Sequence, residues 1–153
     1  NNGARSGGSE SPLSRVAAKE PKLTANEQKQ RNREHDVKKR ERSLRQLADD
    51  MFHAIKFKQT NHVRQLLQKI NNFEQQDEDG NTFLNAAVQS GQFETVTLLQ
   101  EKHVNINTKN HLGNSPLHYA KAYTYNRIFR HLIDSGADEE VTNNGGMTPW
   151  EGI

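Results

Sequence analysis

Apolar positions are distributed unevenly along the 153-residue chain. The first 23 residues are rich in Gly, Ser, Asn, Lys and Glu, with two prolines. Leu13 and Val16 are too isolated there to form a core, so 1–23 is expected to be a tail that only a partner would order. At Thr24 the character changes, because Thr24-Ala25-Asn26-Glu27 has the form of a capping box. From Ala25 to about Phe57 there is neither Gly nor Pro, and four acid-first pairs at i,i+4 line the surface: Glu27 with Arg31, Glu34 with Lys38, Asp36 with Arg40, and Glu41 with Arg45. The pattern predicts one long helix. Its first half holds almost nothing apolar but Val37, so it should be solvated. In the second half Leu44, Leu47, Ala48, Met51, Ala54 and Ile55 recur at helical spacing, which marks a packed face. After the polar break Lys58-Gln59-Thr60, a second amphipathic helix is predicted over Asn61–Ile70, with Val63, Leu66, Leu67 and Ile70 on one side.

Beyond residue 76 the pattern repeats. Gly80-Asn81-Thr82-Phe83-Leu84, Gly113-Asn114-Ser115-Pro116-Leu117 and Gly146-Met147-Thr148-Pro149-Trp150 follow one another every 33 residues. At that spacing Ala87 meets Ala120, Gly91 meets Thr124, Val96 meets Phe129 and Leu99 meets Leu132, whereas Leu98 meets His131 and departs from the pattern. Thr or Ser can cap the first helix of each unit, Pro fits its first turn, and Leu points into the stack. Gly136 suits a left-handed helix stop, and His103 in the equivalent place should be slightly strained.

This order resembles the ankyrin repeat, a β-turn followed by two antiparallel helices with a Thr-Pro-Leu-His signature. Ser115-Pro116-Leu117-His118 matches the signature with Ser for Thr; Thr82-Phe83-Leu84-Asn85 keeps Thr and Leu, and Thr148-Pro149-Trp150-Glu151 keeps Thr and Pro. A shift of one residue aligns the earlier hairpin, Phe52 with Leu84, Ile55 with Ala87 and Leu66-Leu67 with Leu98-Leu99, as a degenerate first repeat. The resemblance covers 49–153, and the fold it implies is an all-α ankyrin-repeat solenoid preceded by a long charged helix. The expected organisation is a tail over 1–23, a basic helix over 24–48, and repeats over 49–76, 77–109 and 110–142 with a fourth opening at 143–153. That last motif leads to the expectation that the solenoid continues beyond Ile153 and that the chain is an excerpt.

Composition narrows the function. A hydrophobic fraction of 31% and a mean hydropathy of −1.02 suit a thin-cored solenoid beside a solvated segment. The chain has no cysteine, which excludes disulfides, thiolate catalysis and cysteine-bound zinc and fits an intracellular protein, cytoplasmic or cytoskeletal, with the nucleus as an alternative. No apolar run approaches a membrane span. The net charge of +2 hides an asymmetry: residues 1–70 carry 16 Lys and Arg against 8 Asp and Glu, whereas residues 71–153 carry 5 against 11.

Seven histidines raise the question of a metal, but none lies at i,i+4 from another with a carboxylate to complete a site, and no cofactor is expected. His118 resembles the family's structural histidine. Neither a phosphate-cradling loop nor a nucleophile motif is present, so an enzyme is not expected. As the resemblance implies, the first helices and turn tips would carry partner contacts: Phe57, Lys58, Gln89, Ser90, Tyr119, Ala122 and Tyr123 on the helices, and Asp77, Glu78, Asp79, Lys109, His111 and Leu112 on the turns. Tyr119 and Tyr123 share a helical face. They are read either as aromatic anchors for a partner or as packing against the adjacent repeat. The run Lys38-Lys39-Arg40-Glu41-Arg42 is either a self-paired solvated helix or an arm for nucleic acid or an acidic cytoskeletal surface, although no aromatic residue in it could stack on bases. The expected function is therefore a protein-interaction scaffold, partner unspecified. The alternatives are nucleic-acid or cytoskeleton binding through 29–45, and a regulatory segment of a larger enzyme.

Overall fold

The computed structural model describes residues 23–153, so the tail read over 1–23 lies, but for Leu23, outside the described residues. Six helices follow in order: α1 (Ala25–Lys56), α2 (Thr60–Leu66), α3 (Phe83–Gln89), α4 (Phe93–Gln100), α5 (Pro116–Ala122) and α6 (Asn126–Asp134). The described residues fall into two units, 23–36 and 37–153.

In the first unit the described residues are the start of α1. Thr24 and Glu27 close the capping box: the Thr24 amide and hydroxyl both donate to Glu27 Oε2, at 2.7 and 2.8 Å. These bonds hold the Glu27 carboxyl below its ordinary value. Residues 23–46 are exposed on every side of the helix. The four acid-first ion pairs do not form. Among the described residues the close charge contacts are instead His35 with Asp36 at 4.0 Å and Arg64 with Glu94. Glu27 is committed to Thr24, and an exposed pair gains too little in water to immobilise two long side chains.

The second unit is a stack of helical hairpins. First helices pack on first helices, as α3 on α5, while α2, α4 and α6 pack side by side behind them. Core residues fall in columns one repeat apart. Met51, Leu84 and Leu117 form one, Ala54, Ala87 and Ala120 a second, and Leu66, Leu99 and Leu132 a third, each member no more than 3% exposed. Burying each leucine contributes about 1.5–3 kcal/mol. The alanine column leaves room for the helices to approach. Where later repeats have Pro116 and Pro149, the second has Phe83, wholly buried with its ring 4.5 Å from that of Phe52.

These columns correct the one-residue shift read for the first repeat. Its register is the same 33 as the others, so Met51 rather than Phe52 matches Leu84, and Ala54 rather than Ile55 matches Ala87. The helix-to-helix turn fixes this register. Lys58, Gly91 and Thr124 each adopt positive φ (56°, 67° and 56°). The residue after each donates its amide back to Ala54, Ala87 or Ala120. Matching the Leu-Leu pairs misleads because Leu67 is buried whereas Leu98 is only half-buried. The second helix is also shorter than predicted: α2 stops at Leu66 and a tight turn carries the chain to Ile70, still buried. His103 takes the left-handed conformation expected of it, φ 56°, opposite Gly136 at 89°.

The turns between repeats form a polar spine. Asp77, Asn110 and Asn143, also 33 apart, each use Oδ1 to accept two amides of their own turn, for Asn110 those of Leu112 (3.1 Å) and Asn114 (3.0 Å). Asn110 Nδ2 donates to Asn81 Oδ1 at 3.0 Å, and Asn143 Nδ2 to Asn114 Oδ1 at 2.9 Å, so each asparagine fastens its turn to the one before. Backbone bonds from His111 to Asp79 and from Asn144 to Leu112 complete the ladder.

Candidate functional site

The residues left uncommitted by the scaffold define the candidate surface. Phe57, Ser90 and Tyr123 occupy one repeat position, the end of each first helix, and therefore form a row across the stack. Phe57 is 58% exposed with its ring 4.4 Å from that of His53, and Tyr123 is 44% exposed with its ring between two others, Tyr119 at 6.0 Å and Tyr125 at 5.8 Å. Between these aromatic posts the middle repeat offers only Ala86, Gln89 and Ser90. The row is two walls with a shallow trough between them. On the turns, Leu112 is 65% exposed, and His111 and Glu78 are exposed beside it.

Four of the residues read as partner contacts also hold the scaffold. Tyr119 is only 6% exposed, and its hydroxyl accepts from Asn110 Nδ2 at 2.7 Å. Of its two readings, burial fits packing within the stack: it braces the turn and backs the Tyr123 ring. Asp77 gives Oδ1 to the amides of Asp79 and Asn81 and Oδ2 to the Asn81 side chain, which leaves little for a partner. Gln89 is half-buried and donates to Asn81 at 2.9 Å. Lys109 is exposed, but its ammonium donates to the Thr142 carbonyl at 2.7 Å, tying one turn to the next. The signal that could have separated these roles was the recurrence of Asn or Asp at 77, 110 and 143 and of Asn at 81 and 114, positions 33 apart.

Lys38, Lys39, Arg40 and Arg42 lie exposed on α1, and no salt bridge engages them among the described residues. Among the described residues no group of three or more His, Asp or Glu side chains is arranged to hold a metal, and no helix is long and apolar enough to cross a membrane.

His118 is part of the scaffold. It is fully buried; Nδ1 accepts from the Ser115 amide at 3.1 Å, so Nε2 carries the proton and donates to the Met147 carbonyl at 3.0 Å. Burial pushes its pKa below the ordinary value of 6.5; the Met147 carbonyl opposes the shift and Lys109 adds to it. Because the folded protein binds this proton less readily than the unfolded chain, its contribution is intact above about pH 6.5 and is lost as pH falls below it. Urea midpoints are expected to drop between pH 7.5 and pH 5 by more in the wild type than in His118→Asn. Asparagine is the residue found at the equivalent position 85, and it does not titrate. Equal drops would show that His118 does not govern the acid response.

Comparison with known proteins places the same segment. The family model described as ankyrin repeats (3 copies) matches residues 51–149. Human protein phosphatase 1 regulatory subunit 27 is 41% identical over 66 residues, 43% of each chain. Putative ankyrin repeat protein L371 of Acanthamoeba polyphaga mimivirus is 31% identical over 91 residues, 60% of this chain and 12% of that one. Transcription factor MBP1 of Kluyveromyces lactis is 46% identical over 44 residues, 29% of this chain and 6% of that one. The chain spans less than half the length of the relatives it matches.

Proposed function

This chain belongs to the ankyrin-repeat family, and from that premise we propose that it is a protein-binding adaptor that holds a partner on its repeats and performs no catalysis. The observation that carries the reading is the row of first-helix ends, where Phe57 and Tyr123 remain 58% and 44% exposed on a hydrogen-bonded stack. Exposed aromatic rings held rigidly present large contact area and lose little conformational entropy on binding. The turn tips at Glu78, His111 and Leu112 extend the same surface. One of its relatives bears the name of a phosphatase regulatory subunit, which fits a role in recruiting or positioning a larger partner rather than acting on it. The partner is another protein, recognised through aromatic and aliphatic side chains.

The basic helix is a second reading, supported by the exposed cations at 38–42, which no salt bridge engages among the described residues. It predicts a partner with an anionic surface, nucleic acid or acidic protein, and steep salt dependence. Isolating a partner and measuring its affinity for two variants separates the readings. Tyr123→Ala is expected to weaken binding by about 1–3 kcal/mol with an unchanged melting curve, whereas neutralising Lys38, Lys39, Arg40 and Arg42 should mainly slow association. Abolished binding in the neutralised helix with full affinity in Tyr123→Ala would transfer the function to α1.

A further inference from the structure

A groove of about 1000 Å3 opens between the second half of α1 and the loop that follows α2. Leu44, Leu47, Ala48, Phe52 and Ile70 supply its apolar surface. Leu44 is 45% exposed, and Leu47 and Phe52 are only half-buried, so this outer edge of the stack is not closed by the described side chains. Terminal repeats of a solenoid ordinarily turn a polar face outward to stay soluble; this one presents leucine and phenylalanine. Val37, one heptad before Leu44 on the same stripe of α1, is 55% exposed and continues the apolar track beyond the groove.

The rim has a definite sign. Glu41, Asp49, Asp77 and Glu78 surround the apolar surface, and Arg45 is the single cation among the lining residues. Asp77 is occupied by its own turn, which leaves Glu41, Asp49 and Glu78 unpaired by any salt bridge among the described residues. Carboxylates around a surface of low dielectric attract cations and repel anions. We infer that the groove binds a short segment of a partner protein in which one or two large aliphatic or aromatic side chains are flanked by Lys or Arg. The apolar side chains fill the space over Ala48 and between Leu44 and Phe52, and the flanking cations reach Glu41 and Glu78. This surface is separate from the row of Phe57 and Tyr123, so one chain can hold two segments at once.

The test uses the full 153-residue chain, 15N-labelled, titrated with the synthetic peptides KRLLKR and EDLLDE. The expected result is saturable amide shifts around Leu44, Phe52 and Asn72 with the basic peptide and none with the acidic one. Leu44→Ser should weaken KRLLKR about tenfold, as loss of an apolar anchor does, and the charge reversal Glu41→Lys with Glu78→Lys should weaken it comparably; Tyr123→Ala should leave it unchanged. Should Leu44→Ser prove unstable in a melting curve, the surface charge reversal decides alone. Equal binding of both peptides, shifts centred on Leu112 and Tyr123, or no saturable shift overturns the inference. So does a dimer at working concentration that Leu44→Ser converts to monomer, which would make a second copy the occupant.

Discussion

Replacing Asn110 with alanine is expected to destabilise the fold by about 2–4 kcal/mol, a large fraction of what a marginally stable domain holds in reserve. The side chain is 7% exposed and makes four hydrogen bonds: two accepted from its own turn, one donated to Asn81 and one to the Tyr119 hydroxyl. Each is worth about 1 kcal/mol net, so the four together set the upper end of that range. Asn110→Asp should be milder, because a carboxylate keeps the two turn bonds and loses the donor. Position 77 carries Asp naturally, with the Asn81 amide group supplying the proton to its second oxygen. Chemical denaturation of the three proteins checks the order wild type, Asp, Ala. An alanine variant within 0.5 kcal/mol of wild type, the range of ordinary surface changes, would mean that the polar spine is decoration on a stack held by its leucines.

The spine also marks the limit of what the sequence made legible. The 33-residue period exposed the family and the helix order, because the period is imposed by columns of buried Leu and Ala that any reader of apolar spacing can see, and the capping box at Thr24 with no Gly or Pro after it exposed the long α1. The register of the first repeat was misread because its apolar pair Leu66-Leu67 looks like Leu98-Leu99, and what fixes it is a backbone hydrogen bond to Ala54, which leaves no mark on hydrophobicity. The site was less legible than the fold for a related reason. Asp77, Gln89 and Tyr119 are polar or amphipathic residues at positions that other repeats use for contacts, and only the geometry shows their polar atoms already spent on neighbours. The groove beside α1 was invisible because it joins side chains from residues 41–52 to a loop at residues 70–78 in which Ile70 is the one apolar lining residue, so no apolar spacing announces it.

A second large effect is expected at Gly113, and its size should follow from neighbours rather than from backbone angle. Gly80, Gly113 and Gly146 share one repeat position and nearly one conformation, φ 78°, 79° and 77°. Alanine at any of them bears the left-handed strain of about 1–2 kcal/mol. At Gly146 an added Cβ meets nothing within 4 Å, so the strain is the whole cost. At Gly80 it would lie 2.5 Å from the His111 ring, an exposed side chain at a turn tip that can rotate away. At Gly113 it would lie 2.6 Å from the Asn144 backbone nitrogen, which is held by its bond to the Leu112 carbonyl. That nitrogen cannot withdraw without breaking the ladder between two turns, so Gly113→Ala should cost about 2–4 kcal/mol. Denaturation midpoints should therefore rank Gly146→Ala as the mildest, Gly80→Ala next and Gly113→Ala as the most severe. Three equal losses would assign the whole penalty to φ and remove the argument that adjacent turns are locked together. If the ranking holds, Gly113→Ala should also displace Leu112 and His111 and weaken any partner that contacts the turn tips, even though neither residue has been changed.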